Sequence, residues 1–444
     1  MKILSSLRGS TDLARQLALA VALAGGSVMF AAPGLTDAAH AQKKKKDEQK
    51  QSASAYTNEF VAAYQPVDAA LKAPGAVLAT LKPQVEALVP LAVSPDDKMA
   101  LGGLMFNSGI TGKDVPLQFQ GVELMLASGK VAPAELGKFN VVAFQLANAL
   151  NQYGKGRTYL QQAIDLNYSA PGTTTSDLQM NLAELYFAEE NYVAGLKYLT
   201  DAIAARKAQG QTIDPRWYKR GVSVAYSNQV VPQVYDFVGM WVMDYPTAEN
   251  WRDAVNLTRN LNDFEGPVML DLLRLGKKVG TLKEKNDYIF YVESADTRRL
   301  PVEVKAVIED AYAAGVIPKG SDSWVEEQYK SASGLIAQDR AALPLLERDA
   351  NAPAARLRTV LAAGDTFLSY GEYDKAAGFY QRSLSMPEVD RNLALTRLAI
   401  SQIGSGNIEA ARATLAQVDG VRAPIAKLWS AYAQQQMSAA AAGG

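Results

Sequence analysis

Three pairs of adjacent acids, Asp96-Asp97, Glu189-Glu190 and Glu326-Glu327, are the residues of this 444-residue chain best suited to general acid–base work. Two carboxylates held about 5–9 Å apart across a cleft can cleave a glycosidic bond. Neighbours in sequence point in different directions on a helix, so adjacency alone does not make such a dyad. Asp96-Asp97 follows Ser94-Pro95 and reads as the first turn of a helix, where acids complement the dipole. All three pairs read as capping or solvated carboxylates. The segment Tyr153-Gly154-Lys155-Gly156-Arg157-Thr158 offers glycines, a cation and a hydroxyl, but without the G-x-x-x-x-G-K-[ST] spacing or a preceding strand it is no phosphate loop. It is expected to be a turn between two helices. Gly172-Thr173-Thr174-Thr175-Ser176 reads as a polar loop, with Ser176 or Asp177 capping the next helix.

Other chemistries are limited by residue type. The chain has no cysteine and one histidine, His40. Thiol nucleophiles, disulfides, Cys/His zinc sites and a Ser–His–Asp triad over the body of the chain are therefore excluded. No catalytic, metal or cofactor site is expected, and the chain reads as non-enzymatic. Hydrophobic residues make up 48% and charged residues 20%, a globular composition. The net charge of −1 provides no global basicity for gripping nucleic acid.

The N-terminal pattern predicts export. Lys2, Arg8 and Arg15 precede an apolar run over 17–32, Pro33 and Gly34 break it, and Ala39-His40-Ala41 has the small-x-small form of a cleavage site. Cleavage after Ala41 is expected, which would discard His40 and place the mature chain in the periplasm of a Gram-negative cell. Residues 42–55, with Lys43, Lys44, Lys45 and Lys46, are too polar to bury anything and read as a disordered arm. Any membrane contact is expected only through those lysines. Residues 437–444 are expected to be a disordered tail.

The elements that must position any site are helices. From residue 56 to 436 apolar residues recur at spacings of three and four, and Gly, Pro and Asn breaks recur along the chain. The pattern repeats. Over residues 357–390, Gly364 and Ala376 are the small positions, Phe367 and Tyr380 the bulky ones, and Gly371-Glu372-Tyr373 the turn. Two antiparallel helices approach closely only where small side chains face the crossing, and bulky residues then fill the space toward the next pair. Equivalent sets are Ala399, Gln402, Ala411 and Leu415; Ala183, Tyr186, Gly195 and Leu199; and Trp217, Gly221 and Phe237 with Pro246 closing the unit. Weaker sets are Ala147, Gly156 and Leu160, and then Leu117 with Leu124.

These units resemble the tetratricopeptide repeat (TPR), a helix–turn–helix of about 34 residues. The resemblance implies an all-α, right-handed superhelical solenoid of antiparallel helix pairs. The segments are expected to be N-terminal repeats over 56–175, TPR-like repeats over 176–250, diverged helical hairpins over 251–348 and C-terminal TPR-like repeats over 349–436. Within 251–348, Pro267 and Gly276 are expected to mark helix ends, and residues 301–314 one amphipathic helix. Residues 216–317 resemble periplasmic TPR proteins associated with energised outer-membrane transport.

The family lines its concave groove with fixed positions of each first helix. Carried over, these include Met180, Glu184 and Phe187, then Tyr218 and Tyr226, then Leu361 and Asp365. Met180 and Glu184 stand where a clamp for C-terminal carboxylates needs Lys and Asn, so an extended or helical peptide held by apolar anchors is the expected ligand. The function implied is a periplasmic protein-interaction scaffold for an envelope protein or peptide. The alternatives are a glycan-processing enzyme built on the solenoid, or a polysaccharide-binding module of an envelope export machine. Lytic transglycosylases carry a Glu-Ser start and a Gly-Leu-Met-Gln type segment; Gly103-Leu104-Met105 here lacks the Gln.

Overall fold

A computed structural model describes residues 56–443. The leader expected at 1–41 and the arm at 42–55 lie outside the described residues. Among those residues there are twenty α-helices, and the only β pairing is one bridge between Ala170 and Thr173. No described helix is long and apolar enough to cross a membrane. The fold is that of an α-solenoid built of TPR-like helix pairs, and the described residues divide into two compact units, 56–213 and 214–443. The division falls inside the segment 176–250 delineated by sequence.

The first unit contains α1 (Asn58–Lys72), α2 (Leu78–Glu86), α3 (Pro95–Gly112), α4 (Val115–Ala127), α5 (Leu136–Ala149), α6 (Tyr153–Asp165), α7 (Thr175–Ala188) and α8 (Tyr192–Ala208). Each helix from α3 onward packs against its neighbours in sequence. The α3/α4 crossing is the tightest. A Cβ on Gly121 would lie 2.6 Å from the Gly102 carbonyl oxygen, so backbone meets backbone there. Ser94 caps α3 with a reciprocal box: its hydroxyl accepts from Asp97 N, and Asp97 accepts from Ser94 N. The N-terminus of α7 is capped by Thr174, with Asp177 as the reciprocal partner, two residues before the expected Ser176. The segment 153–158 is not a turn. It opens α6, and the turn is displaced to Asn151 and Gln152, with Asn151 at φ 56°.

The second unit begins with α9 (Pro215–Ser227) and α10 (Val231–Asp244), then α11 (Ala248–Asn260), α12 (Gly266–Lys278), α13 (Lys285–Ala295) and α14 (Pro301–Ala313). It continues with α15 (Ser323–Asn351), α16 (Leu357–Ser369), α17 (Tyr373–Ser383), α18 (Arg391–Gly404), α19 (Ile408–Leu415), a 3-10 turn (Gly420–Arg422) and α20 (Ala423–Gly443). The small-to-bulky pattern holds in space. A Cβ on Gly364 would come within 2.8 Å of the Tyr380 ring, and one on Gly221 within 2.3 Å of Phe237. Phe367 stacks on Phe379 with centroids 5.7 Å apart. Gly371, at φ +75°, makes the turn between α16 and α17.

The diverged stretch remains helical. Leu270, Leu273, Tyr291, Val304, Val307 and Ile308 share one core there. Two details differ from expectation. Gly276 lies inside α12, which ends at Lys278 before Gly280 at φ +72°. The long α15 runs through the 348/349 boundary, and α20 stays helical to Gly443, where a tail was expected from 437.

Candidate functional site

The residues assigned to the groove divide by burial. On α7, Met180 and Glu184 are half-buried, one helical turn apart. The equivalent positions of α5 carry Val141 and Gln145, and Asn107 of α3 matches Glu184; all three are likewise half-buried. Successive first helices thus repeat a polar side chain at one register position, with Val141 and Met180 one turn before it. Phe187 is 7% exposed and packs its ring against Gly195 of α8, where a Cβ would lie 2.4 Å away. Its position belongs to the seam between the two helices. Flanking contacts fix α7 from both sides: Arg157 of α6 lies over the Tyr186 ring and pairs with Glu189, while Arg206 of α8 donates to Gln179.

In the second unit, Tyr226 and Leu361 are half-buried, whereas Tyr218 and Asp365 are committed inside the fold. Tyr218 has no exposed surface, donates its hydroxyl to Asp244 and meets the Tyr245 ring edge-on. Burial, reinforced by the Asp244 carboxylate, pushes its hydroxyl pKa well up. Asp365 accepts from Tyr380 Oη at 2.7 Å, Arg397 Nη1 at 2.6 Å and Arg299 Nη2 at 3.1 Å.

Asp365 belongs to a buried ionic network that the sequence patterns did not reveal. Its hub is Asp271 of α12, with no exposed surface, which accepts from Arg274 (2.9 Å), Arg397 (3.2 Å) and Arg422 (2.7 Å). Arg274 continues as a two-pronged pair to Glu303 of α14, at 2.8 and 2.6 Å, and Glu303 also accepts from Tyr291. Burial alone would raise the Asp271 carboxyl, but Arg397, Arg422 and Arg274 outweigh it and hold it below the usual carboxylate range. Glu303 is likewise held low against its burial, chiefly by Arg274. A signal was present: Asp271 interrupts the apolar run Leu270, Leu272, Leu273, and Arg397 sits between Leu395 and Leu398. A buried charge in such a run needs a partner.

The acid pairs do not form dyads. Asp97 caps α3 and accepts from Thr57, and Asp96 pairs with Lys130. Glu189 pairs with Arg157, and Glu190 takes a left-handed conformation at the end of α7. Glu326 accepts from Tyr312 Oη and Gly320 N. No group of three or more His, Cys, Asp or Glu that could hold a metal occurs among the described residues. These surfaces set half-buried apolar side chains beside polar ones on a helical frame.

No protein-family model matches the chain, and no curated protein matches it. Among solved structures it is similar to the crystal structure of the APC/C hetero-tetramer Cut9-Hcn1, at 14% identity and a TM-score of 0.20, over 81% of this chain and 72% of that chain. The TPR-like assignment rests on the helix pairs and on the glycine-to-aromatic contacts at their crossings.

Proposed function

We propose that this protein is a non-catalytic scaffold of the periplasm, whose first unit holds a segment of an envelope protein along the α3, α5 and α7 faces. The supporting observation is the repeated register on those helices: Asn107, Gln145 and Glu184 at one position, with Val141 and Met180 a turn away. A bound extended segment would direct its backbone at the polar row and its side chains at the apolar positions. Phe187 shapes this surface from beneath. Export rests on the N-terminal pattern of basic residues, apolar run and Ala39-His40-Ala41.

The test is affinity capture from the cell envelope with Met180→Asp and Glu184→Lys combined. Both residues are partly exposed, so the double variant is expected to fold and to lose most of the captured partner. Unchanged capture of the same proteins would refute the surface assignment. Variants at Phe187 or Tyr218 would confuse lost binding with lost folding, because both side chains are buried.

A further inference from the structure

In an open run of helix pairs each helix touches its neighbours in sequence, and the inner face is left for a ligand. The second unit departs from that plan at its last helix. α20 packs not only on α19 but also on α10, α11, α12 and α18. Its buried residues Ile425, Ala426, Leu428, Trp429, Ala431 and Ala433 are spread around more than half of the helix, at about 100° per residue. A surface helix covers one stripe. A helix enclosed over this arc occupies a groove.

The contacts are those of a helix recognised by a groove. Trp429 is an aromatic anchor, 1% exposed, and its indole Nε1 donates to the Asp271 carbonyl oxygen at 3.0 Å. Lys427 pairs with Asp236 of α10 at a half-exposed rim. Gln435 Nε2 donates to the Val242 carbonyl oxygen at 2.5 Å. Arg422, at the entry to the helix, donates to Asp271 and to the Pro267 carbonyl oxygen. Beside the Lys427–Asp236 pair the seam opens into a cleft of about 210 Å³ that also exposes Met240, Met243 and Arg412. The connection from α19 is short, and Gln417, Asp419, Gly420 and Val421 within it are exposed.

We infer that the surface formed by α10, α11, α12 and α18 of the second unit is a helix-binding groove whose resident ligand is the chain's own C-terminal helix, α20. The occupant it selects is an amphipathic helix with a tryptophan anchor, a cation opposite Asp236 and an amide reaching Val242. Because α20 is tethered, its effective concentration at the groove is in the millimolar range, and a competing helix from another protein must overcome it. The groove is therefore closed to partners while α20 is seated. This inference stands on α20 alone and does not depend on the first-unit reading.

The test uses the full chain with a specific protease site placed between Gln417 and Asp419, cut only after folding. A fluorescent peptide of residues 420–438 is the probe. The cut chain is expected to exchange its helix for the peptide, while the uncut chain binds it about 100-fold more weakly. A W429A peptide should bind the cut chain at least about tenfold more weakly. A K427E peptide should bind more weakly than the parent peptide and recover on a D236K chain. If the cut chain keeps its helix against excess peptide, or loses helical circular dichroism on cutting, α20 is an integral part of the core and the inference is overturned. Equal binding by the W429A peptide would overturn it as well.

Discussion

At Asp271 a carboxylate sits where the surrounding leucines would bury only hydrocarbon, and three guanidinium groups converge on it. Removing one partner from a buried ion cluster leaves uncompensated charge, at a cost of about 3–5 kcal/mol. Asp271→Asn, nearly isosteric, is expected to lower the unfolding free energy by that amount in chemical denaturation; a loss below about 1 kcal/mol would show that the arginines are satisfied without it. Glycines divide similarly by what surrounds them. Gly121→Ala places a methyl 2.6 Å from Gly102 O and Phe106 N and should cost about 1–3 kcal/mol by forcing α3 from α4. Gly378, in α17, has nothing within 4 Å of an added Cβ, so Gly378→Ala should stabilise by about 0.5–1 kcal/mol. Melting temperatures of the two variants should therefore move in opposite directions.

At the element scale, pairing is set by local code and closure is not. The small and bulky positions of α16 and α17 were legible because Gly364 and Tyr380 lie within one helix pair, 16 residues apart. The turn at Gly371, at positive φ, was legible for the same reason. Caps were legible to within two residues: the Thr174/Asp177 box was missed because several hydroxyls in that loop could serve. What was not legible is the seat of α20. Arg422 and Asp271 are 151 residues apart, and Trp429 is 158 from the carbonyl it reaches, distances that no local periodicity encodes. The burial of Tyr218 and Asp365 was hidden likewise, since a register position says which face a residue occupies and not what later packs on it. Trp429→Ala should cost about 3–5 kcal/mol by removing the large buried side chain that seats α20. That loss should fall on α10, α12 and α20 together in hydrogen exchange, since all three meet at this side chain's helix.

At the scale of the whole molecule, ion pairs record the repeat. Lys82–Asp114, Lys155–Glu123, Arg157–Glu189, Arg252–Glu284 and Arg397–Asp365 each join residues 32 apart. Within the stretch where the small-residue code is lost the spacing varies: Arg259–Asp287 spans 28 residues and Arg274–Glu303 spans 29. The exposed pairs among them contribute little, about 0–1 kcal/mol each, and act as register marks more than as stabilisers. The buried network is different and makes the second unit sensitive to acid. Asp271 and Glu303 are depressed below their ordinary values of 3.8 and 4.5. Their contribution is fully present above those values and is lost as pH falls through the lower folded-state values, because the unfolded chain then binds more protons. Between about pH 7 and about pH 3, hydrogen-exchange protection should therefore fall more steeply over 214–444 than over 56–213. Asp271→Asn should flatten that difference.

The central claim is that the first unit presents the open partner surface. Site-specific photocrosslinking in intact cells tests it most directly, with the photoreactive side chain placed at Met180 and, as a control, at Lys197, whose side chain is 73% exposed on α8. Adducts to one or two envelope proteins from position 180, and none from position 197, are the predicted result. Adducts from 197 without any from 180 would contradict it.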